Sequence, residues 1–595
     1  MSLIIPAVSP SEFDLYMQGA YLTVEEAAQI QAELDIEEAA QNIVDNAVGQ
    51  TLGRMPDVAQ SCKMRCALNL INLGGSFKYE DDALLIKSTL FPLATNHLYH
   101  QIDSNSVGKK VVVIVYVFDD GLGDFYHADS AVKVIRKELP KLDITLIAVH
   151  MDPELEGKVT KPQGIKTIFL PFCEFESMDE EERKLFKEKT GLEFYRKFKE
   201  ARCEMQTSKV VLQISQPVED RSLYYNDLFF FRNLIVRPRS ILIREYGEFF
   251  GNRDDYSMGV YDDSVGIFIK NLPATHSFLS LKSKNLKQVL FGVKSCNDVN
   301  VALNNYLENH DTVFAYLKWR SFCQYAFLCI ACDFFKSSGK TLDIIMPLMP
   351  EGALPREFLE EKGFEKIVFI RKREQKWSFS VLELNKNENG KNGKILRLID
   401  PFPLAQEDFH VLLRHSFKMV GCNGDQSLTE AISLDKIPFF EVTKYEEPTE
   451  FKYDFLDGLL KLAKHIDVES GNSYLSEYLT ALKVILTTEF DSSREYVKAK
   501  HQRKINEQSI TISSLLHKPE FHKAFRVFNR ILSDQYSFTK ELPNILRREL
   551  ALQAHPKLEK EENDLFQSYL GNKISLIRVQ ETLAATIQSF MNPSH

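Results

Sequence analysis

The stretch Gly421–Pro438 (GCNGDQSLTEAISLDKIP) combines residue types that can hold an anion and a sugar. Its glycines and Asn423 make a flexible turn after a short predicted strand, Lys418–Val420. Ser427 is placed to cap the following helix, with Glu430 three residues later in the capping-box position on the first turn. A helix start offers N–H groups to an anion such as a diphosphate, and a carboxylate can accept hydrogen bonds from a ribose diol. The alternative is that Glu430 only completes the capping box.

A second glycine-containing loop, Asp119–Asp124 (DDGLGD), lies earlier in the chain between a predicted strand and a predicted helix. Ligands of open α/β sheets bind at the carboxyl ends of strands, where this loop is expected. A dinucleotide site needs G-x-G-x-x-G, but Tyr126 stands at the third glycine position. The pattern therefore argues against an NAD enzyme and leaves a tight turn without a ligand as the alternative.

Short buried strands are predicted to position both loops. Val111–Phe118 is a continuous, mostly β-branched run, and Asp143–His150 follows after a helical stretch, which predicts a parallel βαβ unit. A second α/β block opens with the strand Thr312–Leu317 and continues with alternating helices and strands. Within it, Trp377–Leu384 and Lys394–Ile399 flank a polar Asn/Gly/Lys turn and are predicted to pair as a hairpin.

Composition limits the classes of function. The 595 residues carry 73 Lys plus Arg and 83 Asp plus Glu, a net charge of −10 that disfavours a general nucleic-acid binder. The nine cysteines include one CxxC pair, Cys329 and Cys332, inside an apolar run with a predicted helical conformation, so we expect buried thiols rather than a redox or zinc site. No secretory signal pattern opens the chain, and no apolar run approaches the ~20 residues of a bilayer span.

Taken together, the two loops resemble those of GT-B glycosyltransferases. Members of that superfamily carry a Gly/Ser/Thr-rich turn, a helix with a Glu-Ala pair (here Glu430-Ala431) and a small-residue strand start, which Asp435–Pro438 replaces here. The loop Gly121–Asp124 is similar to the first loop of their amino-terminal domain. The resemblance covers roughly Lys109 to His465.

The resemblance implies an α/β fold of the GT-B type, with two facing Rossmann-like domains and helical N-terminal and C-terminal extensions. The domains would be a helical region 1–108, an acceptor-side domain 109–308, a nucleotide-sugar domain 309–452 and a helical region 453–595. The donor would bind mainly to the second α/β domain and the acceptor mainly to the first.

Carried over residue by residue, the resemblance makes Glu430 the ribose-binding carboxylate and Asp124 the general base. Asp120, His127 and Asp129 are the local alternatives for the base. The donor site would consist of Lys318, Arg320, Asn423, Gly424, Asp425, Gln426, Ser427, Leu428 and Glu430. The acceptor-side loop would include Gly121, Gly123, His127 and Tyr246.

The expected donor is a nucleotide-diphosphate sugar of the UDP or GDP type, with no required cofactor and no essential metal, since no DxD motif stands in a suitable setting. Many retaining members carry a second Glu before the ribose-binding one, but Cys422 stands in that region, which favours an inverting reaction. Two other functions remain open: a nucleotide-sugar epimerase or hydrolase on the same scaffold, and an inactive GT-B-like binding protein.

The large helical ends favour a protein acceptor, and a bacterial effector that modifies proteins is one natural setting. The expected location is accordingly the cytoplasm or, after translocation, a host cytosol. We expect a nucleotide sugar and an acceptor as partners, with no nucleic acid and no transmembrane segment.

Overall fold

A computed structural model describes most of the chain beyond residue 89. The described residues are 90–101, 109–117, 123–150, 154–171, 191–216, 239–244, 255–260, 264–270, 272, 277–292, 299–317, 321–347, 356–373, 376–384, 394–441, 451–487, 499–571 and 573–591. Most of the predicted helical region 1–108 therefore lies outside the described residues. Within it, 90–95 is helical and Asn96–Gln101 forms a short 3-10 helix.

The first sheet has six parallel strands in the order β3-β2-β1-β4-β5-β6. This is the doubly wound strand order. The chain first adds β2 and β3 on one side of β1 and then adds β4, β5 and β6 on the other side. Its elements are β1 (Lys110–Val117), α1 (Gly123–Glu138), β2 (Asp143–His150), α2 (Leu155–Lys158), β3 (Lys166–Pro171), α3 (Gly191–Thr207), β4 (Val210–Gln216), β5 (Arg239–Arg244) and β6 (Asp255–Ser257).

The sequence of β1 explains its central place in this sheet. Seven of its eight residues are buried, because the β-branched side chains on each face of the strand pack against a layer of helices. Val112, Ile114 and Tyr116 share one core cluster with Phe198 and other residues of α3. The predicted parallel βαβ unit is confirmed, with β1 and β2 in register from Lys110↔Asp143 onward.

The second sheet also has a doubly wound core. Its first elements, in chain order, are α4 (Lys284–Phe291), α5 (Val299–Asn309), β7 (His310–Phe314), α6 (Ser321–Phe334), β8 (Thr341–Ile345) and α7 (Arg356–Glu361). They are followed by β9 (Phe364–Arg373), β10 (Lys376–Glu383), β11 (Lys394–Asp400), α8 (Gln406–His415), β12 (Met419–Asn423), α9 (Gly424–Ser433) and β13 (Ile437–Glu441). Five strands pair in the order β10-β9-β11-β8-β7, and β12 pairs with β13.

A parallel bridge between Ala315 and Gly421 joins these two groups of strands. The combined order is β10-β9-β11-β8-β7-β12-β13, so the direction of winding reverses between β7 and β12. The predicted α/β fold class with two Rossmann-like sheets is thus confirmed by the strand order of each sheet.

The predicted hairpin between Trp377–Leu384 and Lys394–Ile399 is wrong. β10 pairs antiparallel with the preceding strand β9, whereas β11 runs parallel to both β8 and β9. The strand that follows β10 in the chain therefore belongs to the parallel core of the sheet, and the two strands do not form a hairpin.

Seven helices follow the second sheet: α10 (Phe451–Ser470), α11 (Tyr474–Leu486), α12 (Ala499–Leu516), α13 (Pro519–Gln535), α14 (Phe538–Ala554), α15 (Pro556–Leu570) and α16 (Leu576–Met591). The chain divides into two compact units, and Thr539–His595 belongs to the unit that holds the first sheet, whereas Gly266–Phe538 forms most of the other. The predicted helical C-terminal region is thus shared between the units. The domain boundaries at 108, 308 and 452 stay a prediction.

Buried thiols were expected for the CxxC pair, and both lie in the interior of α6. Cys329 and Cys332 are 1% and 0% exposed. Burial raises the pKa of the Cys332 thiol to about 12, which keeps it protonated and unreactive. None of the described helices is long and apolar enough to span a bilayer.

Candidate functional site

The reversal point of the second sheet brings the ends of β7 and β12 together. Tyr316, just after β7, donates its backbone N–H to the carbonyl of Gly421 at 2.9 Å. A Cβ on Gly421 would lie 2.6 Å from the Cβ of Ala315, so only glycine permits this close approach. Ligands of doubly wound sheets bind outside the carboxyl ends of strands at such a point. Helix α9 begins at this point, directly after β12.

Helix α9 begins earlier than the capping-box pattern predicts. Gly424, with φ +78°, is its first residue, and Asn423 at the N-cap makes no side-chain capping bond. The hydroxyl of Ser427 donates to the carbonyls of Asn423 (2.8 Å) and Gly424 (3.1 Å). The prediction that Ser427 caps the helix is therefore wrong, and Glu430 lies in the second turn instead of the first.

The helix start still has the properties of an anion site. Because Asn423 is the N-cap, the N–H groups of Gly424, Asp425 and Gln426 have no partner within the helix. Among the described residues, no atom lies within 4 Å of a Cβ built on Gly424, so these residues leave the start of the helix open on that side. Ser427 is 5% and Leu428 3% exposed, so these two predicted donor-site side chains are buried. The side chain of Asp425 lies outside the described set.

Glu430 is the most unusual group of this site, because it is a carboxylate with only 2% exposure. Its Oε1 atom accepts hydrogen bonds from Lys270 Nζ and from Gln426 Nε2, each at 3.1 Å. Nε2 of His410, on α8, lies 3.3 Å from the same oxygen. Among the described residues, none donates a hydrogen bond to the other oxygen, Oε2.

The surroundings of Glu430 keep it ionised. Burial alone would raise its pKa, but His410, the charge of Lys270 and the Gln426 amide together lower the pKa of Glu430 to about 2. At neutral pH the group is thus an anionic acceptor with one oxygen anchored. Such a carboxylate is suited to receive hydrogen bonds from hydroxyl groups and is too weak a base to remove a proton.

The first sheet has a comparable junction at its own reversal point, where α1 follows β1. Gly123 is exposed, and Asp124 is partly exposed in the first turn of α1. A carboxylate at this position also interacts favourably with the helix dipole. His127 and Asp129 are 2% and 6% exposed, and Asp129 pairs with Lys133 at 2.6 Å. Of the described candidates for the general base, Asp124 is therefore the most accessible.

Several predicted site residues cannot be placed. Gly121, Tyr246, Lys318 and Arg320, together with the alternative base Asp120, lie outside the described residues. Among the residues that the structure describes, no group of three or more His, Cys, Asp or Glu is arranged to hold a metal ion.

Two residues that contact Glu430 could not be predicted from the sequence. Lys270 is 160 positions away from Glu430, and His410 belongs to the preceding helix. No motif marks either residue, because their proximity to Glu430 arises only from tertiary folding.

No family model and no curated relative matches the sequence. The solved structures to which the chain is similar include LpCGTa in complex with UDP, at 12% identity and a TM-score of 0.36, over 74% of this chain and 99% of that one. Spinosyn rhamnosyltransferase SpnG with thymidine diphosphate has 10% identity and a TM-score of 0.33, over 74% and 100% of the two chains. MurG of Acinetobacter baumannii has 10% identity and a TM-score of 0.29, over 68% and 95%. At these TM-scores, the roles proposed below rest on the geometry of this chain's own residues.

Proposed function

We propose that the protein is a glycosyltransferase that moves a sugar from a nucleoside diphosphate to an acceptor. The donor binds where β7 and β12 end, with its ribose at Glu430 and its diphosphate at the start of α9. The observation that carries this proposal is the buried carboxylate of Glu430, which stays ionised and receives three contacts on one oxygen but, among the described residues, none on the other.

The chemistry requires charge stabilisation on the donor side. As the bond between the sugar and the β-phosphate breaks, negative charge develops on the departing diphosphate. The N–H groups of Gly424, Asp425 and Gln426 and the dipole of α9 stabilise that charge without a metal ion. Lys318 and Arg320, which follow β7 in the sequence, are proposed to add cationic contacts to the leaving group.

Asp124 is proposed to remove the proton of the acceptor nucleophile in an inverting reaction. It lies at the start of α1, after the central strand of the first sheet, and is partly exposed, whereas His127 and Asp129 are buried. The acceptor is proposed to be a hydroxyl or side-chain nitrogen of a protein, and the donor a UDP- or GDP-sugar.

The experiment that tests the donor site is a titration of the purified protein with UDP-, GDP- and dTDP-sugars, followed by calorimetry and thermal shift. At least one nucleotide sugar is expected to bind and to raise Tm. Glu430→Ala is expected to weaken that binding by about 1–3 kcal/mol, the cost of losing a hydrogen bond to a buried charge. Glu407→Ala, which removes an exposed acid on α8, is the matched control and is expected to change nothing. Absence of binding by every nucleotide sugar would contradict the proposal.

A second measurement separates transfer from hydrolysis and tests the base. Release of the nucleoside diphosphate is followed with and without a panel of peptides that contain Ser, Thr, Asn and Arg. Asp124→Ala is expected to keep donor affinity and to abolish acceptor-dependent release. Asp143→Ala, at the exposed amino end of β2, is the control. Release that needs no acceptor would identify a hydrolase or epimerase instead.

A further inference from the structure

Lys270 lies near the start of the second unit and donates two hydrogen bonds to residues of α9. Its Nζ donates to Glu430 Oε1 at 3.1 Å, and its backbone N–H donates to the hydroxyl of Ser433 at 2.9 Å. Glu430 and Ser433 are three residues apart, so both contacts lie on the same face of the helix. The side chains of Lys270 and Glu430 are 9% and 2% exposed, a degree of burial that a lysine reaches only when its charge is paired.

The backbone that carries Lys270 is fixed independently of Glu430. Ile267 donates its N–H to the carbonyl of Tyr536 at 2.7 Å and accepts from the N–H of Phe538 at 2.9 Å. Gly266, with φ +93°, packs so closely that a Cβ there would lie 2.3 Å from the carbonyl carbon of Tyr536. A backbone bridge three residues before Lys270 therefore holds the segment, so the position of the Lys270 backbone does not depend on the ion pair.

The contacts on Glu430 are one-sided. Lys270, Gln426 and His410 all approach Oε1, and none of the described residues donates to Oε2. A carboxylate that is held through one oxygen has its plane fixed, which leaves the second oxygen in a defined direction. Of the three groups, Gln426 belongs to α9 itself, so Lys270 and His410 are the ones that reach Glu430 from outside its helix.

We propose that Lys270 is a positioning residue that fixes the Glu430 carboxylate so that its free oxygen accepts the hydroxyl groups of the donor's ribose. Resting on the proposed function, this inference adds a residue that touches no part of the donor and acts only through Glu430. A purely structural lysine would instead neutralise a buried charge and affect all ligands alike.

The test uses the full-length protein with UDP, GDP and their 2′,3′-dideoxy counterparts in calorimetric titrations. Lys270→Met is expected to weaken binding of the preferred ribonucleotide roughly tenfold, the effect of one charge-assisted hydrogen bond, and to leave the dideoxy nucleotide unchanged. Lys270→Arg is expected to restore most of the affinity. In a Glu430→Gln background, Lys270→Met is expected to cost nothing further, because a double-mutant cycle reports the coupling of the pair.

The control is Lys461→Met, which removes an exposed lysine on α10 of the same unit. Should Lys270→Met fail to fold, Ser433→Ala keeps both charges and removes only the backbone anchor; we then expect a roughly threefold loss for the ribonucleotide alone.

Two results would overturn the role of Lys270 and leave the proposed function standing. One is an equal loss for ribo- and dideoxy nucleotides, and the other is full ribonucleotide affinity in folded Lys270→Met when Glu430→Gln has lost it. A different result, in which Glu430→Gln binds every nucleotide as the wild type does, would refute the ribose role of Glu430 itself.

Discussion

The Arg548 cluster of the first unit and the Glu430 cluster of the second differ in how the carboxylate oxygens are used. In the first unit, Arg548 is completely buried between Glu549 and Glu562. Glu562 accepts from Arg548 Nε (2.8 Å) on one oxygen and from the Tyr99 hydroxyl (2.7 Å) on the other. Glu549 likewise accepts from Arg548 and from Arg239 on its two oxygens. All four oxygens of this cluster have a donor.

The second unit offers a pair for comparison, Asp343 and Glu430. Asp343, with no exposure, accepts from Arg397 and His310 on Oδ1 and from the Tyr306 hydroxyl and Arg397 on Oδ2. Glu430 is almost as buried, yet its described donors all converge on Oε1.

Burial alone therefore does not separate a structural carboxylate from a binding one. A structural ion pair must satisfy its lone pairs internally, since an unpaired buried polar atom costs free energy. A carboxylate that binds a ligand instead keeps one oxygen without an internal donor. Asp343 meets the first description, and the role proposed for Glu430 is of the second kind, within the same unit.

The largest expected effect of this difference is on stability in the first unit. Arg548→Ala would leave two buried carboxylates without their shared cation, so we expect the free energy of unfolding to fall by about 3–5 kcal/mol. Denaturant titration, with tyrosine fluorescence and circular dichroism as separate probes, measures the loss. Nucleotide affinity of the folded fraction is expected to stay that of the wild type. A loss of affinity without a loss of stability would mean that the Arg548 cluster is itself a ligand site.

Asp343→Asn tests the closed cluster in the same unit as Glu430. The substitution keeps the shape of the side chain but removes the charge that Arg397 pairs with, so we expect a loss of about 1.5–3 kcal/mol in unfolding free energy. Affinity for UDP or GDP is expected to be unchanged, in contrast to Glu430→Ala. If Asp343→Asn weakened nucleotide binding as much as Glu430→Ala, the distinction between closed and open clusters would fail.

Much of the fold could be predicted from the sequence because parallel strands buried on both faces leave a direct pattern. The continuous β-branched run of β1 and the bounds Asp143–His150 of β2 are examples. The partner of β10 could not be predicted in this way. The strongest turn signal, 385–393, follows β10, but pairing with β9 leaves β11 free to run parallel to β8 in the centre of the sheet.

For the candidate site, the sequence pattern located the loop but not its local geometry. Gly424 adopts a positive φ and starts α9 three residues before Ser427, which overrides the capping-box spacing. Glu430 could be singled out by its place in the motif. Lys270 and His410 could not be singled out in this way. The contact of Lys270 with Glu430 spans 160 positions and depends on how the segment around Ile267 packs.

A pH titration sharpens the comparison for Glu430. Since its pKa is lowered to about 2 from an ordinary 4.5, the ionised group stabilises the folded state fully above about pH 4.5. That contribution is lost as the pH falls from 4.5 toward 2. Wild type is therefore expected to lose about 1–3 kcal/mol relative to Glu430→Gln over this window. Differences in Tm measured from pH 5 to pH 3 check the sign, and parallel curves for the two proteins would contradict it.

The smallest effect is expected for an ion pair whose side chains are mostly exposed. Arg578 and Glu581 lie three residues apart on α16, 3.0 Å from each other, with 68% and 58% of their side chains exposed. Solvent screens such a pair, so Arg578→Ala is expected to change the free energy of unfolding by less than about 0.5 kcal/mol. The same denaturant titration used for Arg548→Ala measures it, which places both variants of the first unit on one scale. Equal losses of unfolding free energy in Arg548→Ala and Arg578→Ala would contradict this expectation. They would show that helix propensity or local packing, and not the burial of the ion pair, determines the effect of removing an arginine from these helices.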